Sequence, residues 1–171
     1  MVVGYNNFPI VASFYLAREI TDFLNYAGNP CSFYKVPHAK WSSDDNVLVA
    51  TTLNRRQNNL KLHKVFALRS SSTLLLNETD DAYVDVKDDL TFLDDNSFIW
   101  TSEKDGFNHI YHYDFNGKLI TQITKGDWEV TKYYGYNDSK KTIYYQSVEN
   151  GSINRGIYSI GLDGKNKKIL S

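Results

Sequence analysis

Histidines and paired aspartates are the side chains of this sequence best suited to acid–base or metal chemistry. His109 and His112 lie three residues apart, and on a β-strand that spacing places two side chains on opposite faces. They could not chelate one ion together, so we expect no metal site. Adjacent aspartates precede apolar runs, where such carboxylates usually bond their own backbone. These pairs are Asp44/Asp45, Asp80/Asp81, Asp88/Asp89 and Asp94/Asp95.

Nucleophilic chemistry lacks its usual sequence setting. No Gly-x-Ser-x-Gly occurs in the chain, so there is no strand–turn–helix elbow that would expose a serine nucleophile. The single cysteine, Cys31, excludes an internal disulfide and a cysteine-based zinc cluster. We predict no catalytic residue, no metal ligand and no cofactor in this chain.

The composition is that of a globular protein rich in β-structure. Apolar residues make up 42% of the 171 residues, and 13 residues are tyrosine, which favours half-buried strands. A net charge of −1 gives no basic surface for nucleic acid. No apolar run has the length of a membrane helix, and the N-terminus lacks the pattern of a signal peptide.

A repeat of about fifty residues organises the chain. An acidic turn before Val47–Thr52 recurs before Ser97–Ser102 and, more diverged, before Thr142–Ser147. In each unit an opening strand precedes this turn, and a polar loop, a second strand, a tight turn and a last strand follow it. Four short strands per unit are typical of a β-propeller blade. We predict an all-β fold of antiparallel four-stranded blades, about three and a half of them in an incomplete ring; an irregular β-sandwich is the alternative.

The repeat also sets the predicted boundaries. All 171 residues are assigned to one propeller domain, with blades at 37–76, 88–124 and 129–170, the end of a preceding blade at 14–36, and residues 1–13 unassigned. The remaining predicted strands are His38–Trp41, Leu60–Phe66, Thr73–Leu76, Leu90–Leu93, His109–Phe115, Leu119–Thr124, Val130–Tyr136, Gly156–Ile160 and Lys167–Leu170.

Two local segments call for a choice of conformation. Ser13–Tyr26 fits an amphipathic helix, or a hairpin of strands Ser13–Leu16 and Ile20–Leu24. The repeat favours the hairpin, because the last strands of a preceding blade belong there. The second segment is Asn116-Gly117, which lies between the runs His109–Phe115 and Leu119–Thr124. This dipeptide predicts a type I′ turn with positive φ at both residues.

Five motifs give the chain a family resemblance. They are Tyr34–Trp41, Leu53–Asn59, Asp89–Phe92, Ile99–Tyr113 and Lys125–Val130, and the last of them reads Lys-Gly-Asp-Trp-Glu-Val. In these residues and in their order, residues 14–171 resemble the propeller domain of the dipeptidyl peptidase IV family, especially its bacterial members. One departure is His38, where the family usually carries arginine.

The resemblance implies an activity that is completed outside this chain. Members of the family pair an eight-bladed propeller with a C-terminal α/β-hydrolase domain, absent here, and remove N-terminal dipeptides after proline or alanine. The resemblance also implies a peptide substrate bound through the full-length enzyme, and a periplasmic or cell-envelope location. The family's paired glutamates that hold the substrate amine have no counterpart, since no Glu-Glu occurs.

One element of the substrate site is expected within the chain. By resemblance, the loop between the first two strands of the middle blade faces the central cavity, and Phe107 and Asn108 occupy the positions that line the extended pocket. Family members often carry a basic residue where Asn108 stands. The alternative for Phe107 is that its ring covers the strand ends.

Two functions follow from the predicted fold. The chain is either the non-catalytic propeller part of a serine dipeptidyl peptidase, which gates substrate access and lines the pocket, or a stand-alone propeller that binds proteins. In both cases three and a half blades do not close a ring. We therefore expect self-association through open blade edges, because unpaired strand edges readily pair with other chains.

Overall fold

The structure, a computed structural model, describes residues 38–66, 71–151 and 153–171. Within these ranges the ordered elements are twelve β-strands, and no helix is long and apolar enough to cross a membrane. The strands are β1 Ala39–Trp41, β2 Val47–Leu53, β3 Asn59–Phe66, β4 Ser71–Thr79, β5 Thr91–Phe92, β6 Phe98–Ser102, β7 His109–Tyr113, β8 Leu119–Gln122, β9 Val130–Asn137, β10 Thr142–Ser147, β11 Gly156–Gly161 and β12 Lys168–Ile169.

The strands form three four-stranded meanders in which chain neighbours pair. The orders are β1-β2-β3-β4, β5-β6-β7-β8 and β9-β10-β11-β12, and strands pair antiparallel, as β3 with β4, β6 with β7 and β10 with β11. This confirms the predicted all-β class of four-stranded antiparallel sheets. The predicted hairpin at residues 13–24 lies outside the described residues.

Predicted and observed strand ends differ by at most two residues, except at the end of β4. β10 begins and ends at the predicted residues, whereas β4 runs to Thr79 rather than ending at Leu76. The added residues Asn77–Thr79 pair with Asn59–Lys61 of β3. Polar residues continue the strand here because the partner strand is long enough to satisfy their backbone groups.

The described residues divide into two compact units. The first includes 48–66 and 71–84 and has a core in which β2 is buried from Leu48 to Leu53, together with Leu60, Leu62 and Leu75. The second comprises 40–47 and 85–171. Burial on both faces explains why β2 reads as a continuous apolar and threonine run rather than an alternating one.

The core of the second unit lies between its two complete sheets. From the sheet of β5 to β8 come Ile99 and Ile110, which pack in one cluster with residues of the following sheet. Those residues include the cross-strand pairs Ile143/Ile160 and Tyr145/Tyr158, and the two tyrosine rings stack with centroids 5.5 Å apart. Alternation along each strand thus directs one face of each sheet into a shared core.

The turn at Asn116-Gly117 is not of the predicted type I′. Gly117 has φ 79°, but Asn116 is not among the residues with positive φ. Asp114 O accepts from Gly117 N at 3.0 Å, and Asp114 N donates to Lys118 O at 2.9 Å, which is a type I turn followed by a left-handed residue and a bulge. The Asp114 carboxylate accepts from the backbone N–H groups of Asn116 and Lys118, each at 2.8 Å; these two bonds favour this turn over type I′.

Candidate functional site

The loop 103–108 joins β6 and β7, which are the second and third strands of the middle sheet rather than its first two. It is held by its own polar side chains. Glu103 pairs with Lys87 at 2.6 Å. Lys104 Nζ donates to the Tyr113 hydroxyl at 2.7 Å and lies 3.9 Å from the centre of the Tyr111 ring. Asp105 accepts from the Gln122 side-chain amide. A loop fixed at three consecutive side chains presents its remaining residues in a defined orientation.

Gly106 completes the turn of this loop. Its φ is +97°, a conformation that side chains rarely adopt, and its N–H donates to Glu103 O at 2.8 Å. A Cβ at this position would meet nothing within 4 Å. Backbone conformation, not space, is therefore what requires glycine here.

Phe107 is the exposed aromatic residue of the loop. Its relative exposure is 40%, although the residues on both sides of it in the loop are held by hydrogen bonds. An ordered loop that leaves a phenylalanine ring in solvent is the arrangement expected of a binding contact.

Asn108, the second predicted site residue, points into the protein. It is 8% exposed; its side-chain Nδ2 donates to Val130 O at 2.6 Å, and its backbone O accepts from Val130 N at 2.7 Å. Its Oδ1 is buried and has no hydrogen-bond partner among the described residues. The side chain therefore ties the start of β7 to the start of β9, and the structure does not bring it together with the Phe107 ring.

His109 and His112 form hydrogen bonds to separate partners within the second unit. The His109 Nε2 lies 3.0 Å from Gly126 O and must donate, because a carbonyl only accepts. Nδ1 then accepts from the Thr124 hydroxyl at 3.2 Å. His112 Nε2 lies 2.8 Å from the Ser97 hydroxyl. Within the described residues no group of three His, Cys, Asp or Glu side chains could hold a metal ion.

Three of the aspartate pairs supply turn formers, as predicted. Asp44, Asp80 and Asp95 each accept from the N–H two residues ahead, at 2.7 to 2.9 Å. The Ser97 hydroxyl also donates to Asp95 at 2.6 Å, and this bond lowers the pKa of Asp95. Asp89 differs, since its carboxylate accepts from the Thr101 hydroxyl at 2.7 Å.

Lys104 and Lys87 are the loop-fixing residues that the sequence did not reveal. Strand alternation places Tyr111 and Tyr113 on one face of β7, and that pattern could have indicated a cation site above the two rings. Nothing in the spacing identifies which lysine occupies it. The pairing of Lys87 with Glu103 joins residues 16 apart and depends on the path of the connection between β4 and β5.

A family model, a solved structure and a curated protein all relate this chain to dipeptidyl peptidase IV. The family model described as the dipeptidyl peptidase IV N-terminal region matches residues 28–171. The crystal structure of Porphyromonas gingivalis dipeptidyl peptidase 4 is similar with a TM-score of 0.75 and 37% identity, covering 81% of this chain and 20% of that one. Dipeptidyl peptidase 4 of Trichophyton equinum is 28% identical over 130 residues, 72% of this chain and 17% of that protein. The chain thus spans about a sixth of the length of such curated relatives.

Proposed function

Because the chain belongs to the dipeptidyl peptidase IV N-terminal region family, we propose that it forms part of the propeller of a serine dipeptidyl peptidase. In this proposal the enzyme removes N-terminal dipeptides after proline or alanine, and an α/β-hydrolase domain supplies the nucleophile. The propeller gates access and lines the extended pocket. The match over residues 28–171 carries the proposal.

We assign the pocket contact to the loop 103–108, and within it chiefly to Phe107. The ring is exposed while the neighbouring side chains are held in place, so it needs little reordering to meet a substrate side chain. Asn108 contributes by positioning, since its amide holds the loop end to Val130. Its Oδ1 is buried, so we assign Asn108 no direct contact with the substrate.

The experiment uses the full-length protein that contains this propeller. Hydrolysis of a Gly-Pro chromogenic substrate is expected, and Phe107→Ala should raise KM several-fold while leaving kcat nearly unchanged, because the ring binds substrate away from the reacting bond. Phe115→Ala is the matched aromatic control outside the loop. A folded full-length protein without dipeptidyl peptidase activity would contradict the enzyme assignment and favour the alternative of a protein-binding propeller.

The proposed cellular location is the periplasm or the cell envelope. It is supported by the family assignment alone, because the enzyme's peptide substrates are expected outside the cytoplasm. Cell fractionation with an antibody against the chain tests it, and recovery in the cytoplasmic fraction would contradict it.

A further inference from the structure

A cleft of about 580 Å³ lies within the second unit, between β7–β8 and the following sheet. Its walls come from the ends of β7 and β8, from the β9–β10 turn, and from β11, β12 and the turn that joins them. The loop 103–108 joins the end of β6 to the start of β7, whereas the cleft lies near the end of β7 and the start of β8. The cleft is therefore separate from the proposed substrate contact at Phe107.

The charges that line this cleft are mostly positive. Lys140, Lys141 and Lys168 line it, against the single carboxylate of Asp163. Lys141 is paired with Asp138 at 2.8 Å, whereas the ammonium groups of Lys140 and Lys168 form no ion pair with any described residue. Asp163 already accepts from Lys165 N at 3.0 Å.

Hydroxyl donors converge on the same space. Thr121, on β8, and Ser159, on β11, line the cleft, and their hydroxyls have no hydrogen-bond partner among the described residues. Ser159 is a mostly buried residue, but its hydroxyl oxygen is not among the buried side-chain atoms that have no partner, so it is accessible to a ligand. Two unpaired ammonium groups and two unpaired hydroxyls make a site with an excess of donors, and an anion with several acceptor oxygens would satisfy them.

Apolar contacts limit the ligand further. Ile120 and Leu162 also line the cleft, and Ile120 is largely exposed. A ligand with a short apolar part beside its charged end would cover this side chain. From these features we propose that the cleft binds a small organic anion, whose phosphate or carboxylate end lies between Lys140 and Lys168 and accepts from Thr121 and Ser159.

Titration of the 171-residue chain at low ionic strength, at a concentration below that at which light scattering detects self-association, tests the proposal when followed by heteronuclear NMR. The probes are inorganic phosphate, acetate and hexanoate. We expect saturable shifts of the Thr121, Ser159 and Lys168 amide signals, which weaken as salt is added. The anion, phosphate or acetate, that saturates the site at the lower concentration identifies the charged group of the ligand. Tighter binding of hexanoate than of acetate identifies the apolar contact.

Paired lysine variants separate the site from general charge. Lys140→Gln/Lys168→Gln should weaken binding about tenfold, because both charge-assisted contacts are lost. Lys118→Gln/Lys125→Gln removes the same charge from exposed positions outside the cleft and should leave the affinity unchanged. All four side chains are exposed, so folding is preserved. Equal weakening in the two variants, or the absence of saturable shifts at the three amides, would overturn the proposal.

Discussion

The Thr124 hydroxyl makes two hydrogen bonds inside the second unit, where it is only 2% exposed. It accepts from Ile110 N at 2.9 Å and donates to His109 Nδ1 at 3.2 Å. One small side chain thereby extends the β7–β8 pairing beyond the end of β8 and fixes the tautomer of a buried histidine.

Replacing this hydroxyl by a methyl group should be costly. Thr124→Val keeps the shape but leaves a buried N–H and a ring nitrogen without partners, so we expect a loss of about 1–3 kcal/mol in the free energy of unfolding. Urea denaturation measures it. Thr121→Val, on β8 three residues earlier, partly exposed and without a partner among the described residues, should change stability by less than about 0.5 kcal/mol. Equal effects of the two variants would contradict the assignment.

Two histidines should make stability depend on pH. Burial lowers the pKa of His112, and burial together with nearby Lys61 lowers the pKa of His63. At pH values below the ordinary histidine pKa of about 6.5, the unfolded chain therefore binds protons more readily than the folded chain. The contribution of the two neutral histidines to the free energy of unfolding is complete above that pH and is lost as the pH falls below it.

The measurement is the free energy of unfolding between pH 7.5 and pH 5.5. It should fall with decreasing pH, and the fall should be smaller in His63→Gln/His112→Gln. Imidazole NMR titrations provide the independent check, since both midpoints should lie below about 6.5. Midpoints above that value would reverse the sign of the effect and refute the prediction.

At the scale of the strand and turn, one geometry recurs. Leu93–Ser97 and Gly161–Lys165 close with the same pair of backbone bonds as Asp114–Lys118. The fourth residue of each is left-handed: Asn96 with φ 64°, Gly164 with φ 75° and Gly117 with φ 79°. These turns therefore demand a permissive residue at one position only.

Because only Gly117 of this turn is left-handed, alanine substitution should affect the stability of the chain unequally at Asn116 and Gly117. Gly117→Ala should destabilise the chain by about 1 kcal/mol, because alanine would be forced into the left-handed region, whereas Asn116→Ala should cost less than about 0.5 kcal/mol. A type I′ turn would penalise both substitutions. Chemical denaturation of the two single variants, compared with the unmodified chain, distinguishes the turn types.

The sequence predicts the strands better than the contacts of their side chains. Repeated acidic turns and alternating apolar runs locate the strands because both signals are local. Asn-Gly fits either turn type, and Asp114, two residues before it, makes the bonds that favour one of them. The Phe107 ring lies exposed on its loop, but the inward direction of Asn108 depends on Val130, 22 residues away. Such distant partners leave no periodic signal.

At the scale of the whole chain, the outer strands present apolar side chains to solvent. Ile120 on β8 is 52% exposed and Ile169 on β12 is 60% exposed, and both strands lie at sheet edges. Exposed apolar edge strands favour pairing with further strands. This supports the expectation that the isolated chain self-associates.

Light scattering on the purified chain tests self-association. We expect a mass above that of the monomer that increases with concentration, and Ile120→Lys/Ile169→Lys should lower it, because charged edge residues oppose pairing. Lys118→Gln/Lys125→Gln serves as a surface control and should leave the mass unchanged. A stable monomer at about 100 μM would contradict the prediction.

The pairing of chain neighbours has a consequence for synthesis on the ribosome. Within the second unit every strand pairs with the strand before or after it in the chain, so each meander can close soon after its last strand emerges. The shared core behaves differently, because Ile99 and Ile110 reach their partners Ile143 and Ile160 only after a further sheet has been translated. During that interval the nascent chain exposes one apolar sheet face, and this is the stage at which a chaperone would protect it.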